Sequence, residues 1–466
     1  MAVVVGTISP VTILADSENI FESGDEEEVF SDGSQMDNYE DVGEFSDGEE
    51  PAPEEENGSE GASEDISAFS TNIEQNLDCV ISDGILTEYK GSDEEVVIPD
   101  QVKEIGSKVF ENNTLIRKVT IPESVVKIGD YAFSGCTGLE SVSLPDSLEE
   151  IGGYSFQNCS ALKGNLVLGN SLCKIGKYAF YRCSSLSGGL VIPEGVTELG
   201  EYAFYNCTGF DGTLKLSTGL KKIPDYIFQG CSFTGNLTLP EKLEEIGRYA
   251  FYGNSFTGEL VIPDNVFRMD YSAFNNCWSL ERLVIGSGLS IIPYGSFYSC
   301  KGIKEIEIPG PVTEIQSDAF AYCEGVRELR LKGEIPPKIE KNSGGYDYFF
   351  GTYGMKNLEK IYVPAGCYKA YTEAYGSRLN SGARIVEEGA EDYLIENGVL
   401  TAYTGNEEEV NVPEGVTEIG TGAFQNNKGI KKVMLPEGII KIGDYAFSGC
   451  TGLESVSLPD SLEEIG

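Results

Sequence analysis

The stretch KIGDYAFSGCTGLESVSLPDSLEEIG occupies Lys127–Gly152 and occurs again without a change at Lys441–Gly466. Such identity at two distant places predicts a chain that is built from internal repeats. When the sequence is aligned on the Phe of YAF, a Phe recurs every 23 or 24 residues along ten repeats and then appears twice more near the end. The twelve repeat Phe residues are Phe110, Phe133, Phe156, Phe180, Phe204, Phe228, Phe251, Phe274, Phe297, Phe320, Phe424 and Phe447.

The residues around each repeat Phe form columns of fixed character. The residue eight positions before the Phe is always Val, Leu or Ile, and the residue five positions before it is Ile, Leu or Met. Segments such as VSLP at Val142–Pro145 alternate apolar and polar residues and end in Pro, which is typical of a short strand. One coil of this length cannot bury its own apolar face. We therefore expect the coils to stack into a repeat solenoid, mostly strand and coil, with a parallel sheet along one side.

Cysteine forms a further column, three residues after the repeat Phe. The remaining three repeats carry Asn at this position, so the column suits a small side chain that bonds local backbone groups inside a turn. The pattern favours a structural ladder of buried free thiols over a metal site, which needs convergent ligands, or a disulfide framework, which needs facing Cys pairs. No cofactor or metal is predicted. The ladder residues are Cys136, Cys159, Cys183, Cys207, Cys231, Cys277, Cys300, Cys323 and Cys450.

These columns resemble the BspA-like type of leucine-rich repeat. The resemblance is carried by LESVSLPDSLEEIGGYSFQNC at Leu139–Cys159 and by LVIPEGVTELGEYAFYNC at Leu190–Cys207. It implies a right-handed solenoid whose coils combine a strand with short turns or 3-10 segments. It also implies a secreted or cell-surface protein of bacteria or of some protist parasites. Several such proteins act as adhesins, so the partners implied are host or bacterial surface proteins or glycans.

The chain contains two arrays of repeats, and the segments that begin them have similar sequences. DGILTEYKGSDEEVVIPDQVKEIG at Asp83–Gly106 aligns with NGVLTAYTGNEEEVNVPEGVTEIG at Asn397–Gly420, and both read as a polar opening cap. KIYVPAGCYKAYTEAYGSRL at Lys360–Leu379 resembles the closing segment of the family, with a predicted helix over 365–375. We therefore expect one module at 77–388, with opening cap, ten coils and closing cap, followed by a truncated second module at 391–466. A capped module is expected to be monomeric.

The part of the chain before the repeats has a different composition. Residues 1–15 are uncharged and apolar and are interpreted as a partial signal-peptide-like segment. Residues 16–70 are rich in Asp and Glu and are expected to form a solvated, disordered tether. The net charge of -43 argues against a nucleic-acid partner, since phosphates are bound through Lys and Arg. No apolar run is long enough for a transmembrane helix.

Catalytic motifs are not found in this sequence. The chain has no His, which removes Ser/His/Asp and Cys/His nucleophile pairs and the usual zinc sites. Carboxylate pairs such as Glu149 and Glu150 recur at exposed turn positions and are interpreted as solvated faces. The sequence favours a non-catalytic extracellular binding and adhesion module. The alternative is a targeting arm for a secreted enzyme whose catalytic domain lies beyond residue 466.

A ligand surface is predicted where tyrosines recur. Tyr stands two residues before the repeat Phe in six consecutive repeats and one residue after it in several. Tyrosine gives a large contact area at a low entropy cost, so adjacent columns could form an adhesive stripe. The alternatives are that half-buried rings only cover the turn, or that the outward strand residues are the binding face. The residues predicted to bind ligand are Tyr178, Tyr181, Tyr202, Tyr205, Tyr249 and Tyr252.

Overall fold

The computed structural model describes residues 78–342, 344–351, 353–379, 382–389 and 391–466, all of which belong to one compact unit. The predicted signal-like segment (1–15) and the predicted acidic tether (16–70) lie outside the described residues. The prediction of a repeat solenoid is confirmed. About 16 coils follow one another roughly 23 residues apart, and helix is almost absent from the described part.

Most coils contribute a first strand that pairs in parallel with the first strand of a neighbouring coil, and these strands form several successive sheets. The coil that follows Ser141–Ser143 has no first strand and forms only a bridge from Gly164 to Leu186. The apolar residue of the strand points into the core, as Val119 does, and the flanking residues face outward. The first strands are Glu95–Val97, Lys118–Thr120, Ser141–Ser143, Gly188–Val191, Phe210–Lys215, Thr234–Gly235, Ser255–Phe256, Gly258–Ile262, Leu280–Ile285, Glu305–Ile308, Glu328–Leu331, Lys360–Val363, Arg384–Glu387, Glu409–Asn411, Lys432–Met434 and Ser455–Ser457.

A second row of parallel strands runs along the solenoid, whereas the sequence predicted one sheet. Its two-residue strands come from the KIG and EIG segments and their equivalents, and most bury their second residue against the core. The exceptions are Leu199, which is partly buried, and Ile465 in the last coil, which is exposed. They are Glu104–Ile105, Lys127–Ile128, Glu150–Ile151, Lys174–Ile175, Glu198–Leu199, Lys222–Ile223, Glu245–Ile246, Arg268–Met269, Ile291–Ile292, Glu314–Ile315, Lys338–Ile339, Glu418–Ile419, Lys441–Ile442 and Glu464–Ile465. Two residues are too few to show an alternation, so the sequence pattern does not reveal these strands.

Glycine sets the distance between neighbouring coils directly after these second strands. A Cβ atom added to Gly152 would lie 2.7 Å from the backbone C of Gly129 in the preceding coil, and one added to Gly129 would lie 2.8 Å from the backbone N of Ser107. The Gly152 N–H donates to the Ile128 carbonyl at 2.8 Å. A side chain at these positions would push the coils apart.

The repeat Phe residues form the centre of the core. Phe110 to Phe320 stack ring on ring through ten coils, with centroids 4.9 to 5.7 Å apart, and all ten are buried. The apolar residues eight positions before each Phe are buried as well. Because every ring is covered by the next coil, burial of this column depends on stacking.

The segment around each repeat Phe has an unusual backbone. In all twelve coils the residues two before and two after the Phe have left-handed φ angles of 52 to 77°. The N–H groups of Tyr131, Phe133 and Gly135 then donate to carbonyls of the next coil at 2.9, 2.7 and 2.8 Å. Left-handed residues interrupt any helix here. The one 3-10 helix in the described residues is Gly376–Arg378, far from these segments.

The two opening caps are β-hairpins. Cys79–Ser82 pairs antiparallel with Ile85–Tyr89, and Tyr393–Glu396 pairs antiparallel with Val399–Tyr403. Their turns are Asp-Gly and Asn-Gly, and both turn residues have positive φ angles, as a type I′ hairpin turn requires. The second strand of each hairpin then pairs in parallel with the first EI segment of its array.

The closing region keeps the first-strand sheet going although its sequence departs from the repeat. Lys360–Val363 and Arg384–Glu387 continue the sheet in parallel. The helix α1 spans Tyr368–Tyr375, so it begins three residues later than the predicted start at 365, because Gly366 is left-handed at φ 80°. The buried Glu387 carboxylate accepts the Tyr368 N–H at 2.8 Å, and burial raises the pKa of this carboxyl.

Candidate functional site

The structure brings the predicted tyrosines onto one face. The residues two before the repeat Phe form a stacked column in which successive ring centroids lie 4.5 to 5.2 Å apart. Tyr181 and Tyr205 stack beside this column at 5.0 Å, and Tyr252 contacts Tyr249 edge to face at 5.7 Å. The column consists of Tyr131, Tyr154, Tyr178, Tyr202, Tyr226 and Tyr249. We call these residues, with Tyr181, Tyr205 and Tyr252, the tyrosine surface.

Stacking decides which parts of these rings a partner can reach. Tyr178 and Tyr202 each have one ring against either face, so their faces are covered and both residues are only partly exposed. Tyr445 occupies the same position in a coil that has no later ring on it, and it is 68% exposed. Burial raises the pKa of Tyr178, Tyr202, Tyr205 and Tyr249. The tyrosine surface therefore offers ring edges and neutral hydroxyl groups.

The stacked column ends at Tyr249 because three columns of the repeat change together. In the next three coils the position two before the Phe holds Ser272, Gly295 and Asp318. The aromatic residue moves one position earlier in two of them, to Tyr271 and Tyr294. Tyr271 does not continue the stack, since its ring stands at 89° to the Tyr249 ring at 5.5 Å.

The same coils lose the glycine that lets neighbouring coils approach. Where most repeats have Gly four residues before the Phe, these three coils have Asp270, Pro293 and Gln316. All three line an open groove of about 650 Å³ that begins at Tyr249. The groove is therefore continuous with the tyrosine surface.

The groove exposes large apolar side chains. Phe267 is 59% exposed, Tyr294 48%, Ile291 40% and Tyr271 38%. All four line the groove, which we call the apolar groove. Scattered apolar residues on a surface are ordinary, but a contiguous group of this kind is typical of an interaction site.

Ile291 is an outlier in its own column. The first residue of the second strand is Glu, Lys or Arg in the other eleven repeats and Ile only here. Elsewhere these charges pair along the solenoid, as Lys174 does with Glu150 at 3.0 Å and Lys222 with Glu245 at 3.2 Å. The replacement of a charged residue by Ile291 is visible in the aligned repeats. It indicates a binding site only because the structure exposes Phe267 and Ile291 in the same groove.

Polar groups around the apolar groove are held in place by neighbours. The Arg268 guanidinium donates to both carboxylate oxygens of Asp270 at 3.3 and 3.2 Å. The side-chain oxygen of Gln316 accepts the Tyr294 N–H at 3.0 Å. Burial raises the pKa of the Asp318 carboxyl, and a hydrogen bond from the Tyr294 side chain acts in the opposite direction. The buried Oδ1 of Asp318 has no hydrogen-bond partner.

The first-strand face, the alternative binding face, carries charges that neutralise one another. Arg282 pairs with Glu259, with Glu305 at 3.3 Å and with Glu307 at 3.5 Å. Arg330 pairs with Glu305 at 2.8 Å, and its guanidinium lies 4.0 Å from the ring centroid of Tyr362. These charged side chains already form ion pairs with residues of neighbouring coils. The face therefore offers few unpaired charges to a ligand.

The outward residues of the earlier strands are simpler. Lys118 pairs with Glu95 at 3.3 Å, and both side chains are more than half exposed. Ion pairs at such exposure contribute little to stability. This part of the face has the character of an ordinary solvated sheet.

Eight of the nine ladder cysteines are buried, and Cys450 is partly buried. Each thiol donates to the carbonyl of the repeat Phe in the preceding coil, at Sγ–O distances of 2.9 to 3.3 Å. Burial raises the pKa of Cys136, Cys207, Cys277 and Cys323 to about 12. The thiols therefore act as backbone hydrogen-bond donors within the core.

In one coil, Asn replaces Cys in the ladder and makes the same hydrogen bond to the carbonyl of the preceding repeat Phe. The side-chain N–H₂ of Asn254 donates to the carbonyls of Phe228 and Phe251, both at 2.9 Å. Asn113 and Asn427 lie in the first repeat of each array, and each accepts N–H groups of its own turn. Asn427 also donates to the Gly405 carbonyl at 3.3 Å. All twelve cysteines, including Cys79, Cys173 and Cys367, are free thiols.

Within the described residues, no group of three or more acidic, Cys or His side chains could hold a metal ion. Nor does that part of the chain contain a helix long and apolar enough to cross a membrane.

The repeats match a known family. The signature of the BspA type leucine rich repeat region occurs in six copies over residues 87–211, 212–336 and 399–466. These copies span more than half of the sequence. The chain therefore belongs to the BspA type leucine-rich repeat family, as its sequence columns suggested.

Solved structures of bacterial leucine-rich repeat proteins are similar to this chain. A leucine-rich repeat protein from Bacteroides ovatus ATCC 8483 is 24% identical, covers 79% of this chain and 88% of its own, and has a TM-score of 0.45. A leucine-rich cell surface protein from Faecalibacterium prausnitzii A2-165 is 22% identical, with coverages of 81% and 92% and a TM-score of 0.41. The T. pallidum leucine-rich repeat protein is 29% identical, with coverages of 47% and 82% and a TM-score of 0.31. No curated protein matches the chain.

Proposed function

We propose that this chain is a secreted or cell-surface bacterial protein whose solenoid binds surface proteins of a host or of other bacteria without catalysing a reaction. One observation carries the proposal. An aromatic surface runs unbroken from the tyrosine surface into the apolar groove, on a scaffold whose other outward charges largely pair with one another. Membership of the BspA type repeat family supports the same reading.

The side chains of this chain are better suited to binding a partner than to catalysing a reaction. The chain has no His to serve as a general base, and burial raises the pKa of ladder thiols such as Cys207, which makes them poor nucleophiles. Tyrosine edges and hydroxyl groups, by contrast, suit protein interfaces, where Tyr is enriched among the residues that dominate binding. We assign this role to Tyr178, Tyr181, Tyr202, Tyr205, Tyr249 and Tyr252.

Binding of the labelled full chain to intact bacterial and epithelial cells tests the proposal. We expect saturable binding that is lost when the cell surface is treated with protease and is kept after glycosidase treatment. Binding that does not saturate, or that protease treatment leaves unchanged, would contradict a protein partner.

The tyrosine surface is tested by Tyr181→Ser together with Tyr205→Ser. These two positions have ordinary φ angles, whereas Tyr178 and Tyr202 are left-handed, so the double variant disturbs the coil backbone less. We expect binding to cells to weaken by at least about 2 kcal/mol, the scale of a single hot spot. The control is the melting temperature. Unchanged binding by a variant that melts like the wild type would remove the tyrosines from the interface.

A further inference from the structure

At the apolar groove, the surface departs from the repeat in several columns at once. Phe267 is the only aromatic residue seven positions before a repeat Phe, and Ile291 is the only uncharged residue six positions before one. Tyr271 and Tyr294 are the only aromatic residues three positions before one. In a solenoid each coil needs only to stack on its neighbours, and charged residues at these positions do so elsewhere in the chain. Stacking therefore does not explain these four side chains.

We propose that the apolar groove binds a partner polypeptide through one large apolar side chain that is flanked by Lys or Arg. The inference rests on the proposed function and names the anchor site and the chemistry of the partner. Side chains such as Phe267 and Ile291 would bury most of their exposed area against the anchor. Burial of that kind in a pocket, with a polar rim around it, is how interface hot spots are built.

The charge around the groove selects a basic neighbour for the anchor. The four second-strand segments that surround the groove, residues 244–249, 267–272, 290–295 and 313–318, contain five acidic and two basic side chains. Both basic residues are engaged, Arg248 with Asp225 at 2.7 Å and Arg268 with Asp270 at 3.2 Å.

Four of the five acidic residues are paired as well, Asp270 with Arg268 and the other three with lysines of neighbouring coils. Glu244, Glu245 and Glu314 contact Lys221, Lys222 and Lys338 at 2.7, 3.2 and 2.8 Å. In the described part of the chain, Asp318, whose side chain accepts a hydrogen bond from the groove residue Tyr294, has no cationic partner. A Lys or Arg of the bound polypeptide would supply one.

Other occupants fit less well. A sugar needs several free hydrogen-bonding groups, but the Arg268 and Asp270 side chains and the side-chain oxygen of Gln316 already bond to neighbours in the groove. The lost hydration of its hydroxyl groups would be poorly compensated. A second copy of this chain would bring together two molecules with a net charge of -43 each.

The test variant is Phe267→Thr together with Ile291→Thr in the full chain. Threonine already stands at Thr197 and Thr313 in the column of Phe267, and it is a good strand former. Val126→Thr is the matched control, because Val126 occupies the column of Phe267 in another coil and is 39% exposed. If the double variant melts early, Ile291→Lys replaces it, since Lys127 holds that column position in the repeated stretch.

The probe is a displayed library of linear peptides, panned on the wild-type chain with counter-selection on the double variant. We expect the enriched peptides to share a large apolar residue next to Lys or Arg. Their dissociation constants should rise at least about 30-fold for the double variant and stay unchanged for Val126→Thr.

Several results would overturn the inference. Enriched peptides that bind the double variant as tightly as the wild type would place the site elsewhere, and enrichment of acidic peptides would refute the charge argument. Binding of a neutral oligosaccharide panel that is lost in the variant would make the occupant a glycan. A wild-type dimer that the variant abolishes would make it a second copy. Cell binding that survives the substitutions would refute the groove while leaving the proposed function standing.

Discussion

Replacing Gly152 with Ala tests whether glycine sets the spacing of the coils. The added Cβ would lie 2.7 Å from the backbone C of Gly129, whereas ordinary contact begins at 3.4 Å, so the coils must separate locally. That movement also stretches the hydrogen bond from the Gly152 N–H to the Ile128 carbonyl, now 2.8 Å. Overpacking costs about 1–3 kcal/mol and a buried unpaired N–H a similar amount. We expect the free energy of unfolding to fall by about 2–5 kcal/mol.

The adjacent Gly153→Ala variant is the matched control. A Cβ at Gly153 meets its nearest atom, the Lys177 carbonyl oxygen, at 3.4 Å, and other coils carry full side chains at this position. Its stability should be unchanged or higher by up to about 1 kcal/mol. Urea unfolding followed by circular dichroism gives the comparison, and hydrogen exchange of residues 127–153 localises the effect. Equal stability of the two variants would refute the spacing argument.

Two further predictions concern the turn around the repeat Phe. Tyr178→Gly should be more stable than Tyr178→Ala by about 1 kcal/mol, because the backbone there is left-handed at φ 57°; a more stable Ala variant in thermal melting would contradict this. In alkylation of the native chain followed by mass spectrometry, the exposed Cys173 should react first and the buried Cys207, whose pKa burial raises to about 12, only after unfolding. Equal rates, or ladder disulfides, would refute the buried ladder.

The sequence allowed the solenoid and the tyrosines to be predicted because both depend on columns that repeat. An apolar residue in the same position of twelve coils can only be buried by stacking, and the family resemblance agrees with that conclusion. The recurring Tyr two residues before the Phe likewise had to lie one above another. Which part of each ring stays exposed depended on the stacking distance of 4.5 to 5.2 Å.

The hairpins were within reach of local rules but were not predicted, whereas the second strands leave no local signal in the sequence. Asp83–Gly84 and Asn397–Gly398 are typical two-residue hairpin turns, but the segments that contain them were predicted only to be polar caps. The second strands have no readable alternation because each has two residues. They form only because the neighbouring coil supplies the hydrogen-bond partners.

What the sequence by itself determined is the period, the buried columns and the class of fold, since these need only the pattern of apolar residues along the chain. The left-handed backbone around each Phe and the apolar groove were decided by the tertiary structure. Within its own coil, Ile291 gives no indication of a site. It becomes part of one only because the coils that contain Phe267 and Gln316 lie on either side of it. Contacts between residues about 23 positions apart create these features, and no stretch within a single coil contains them.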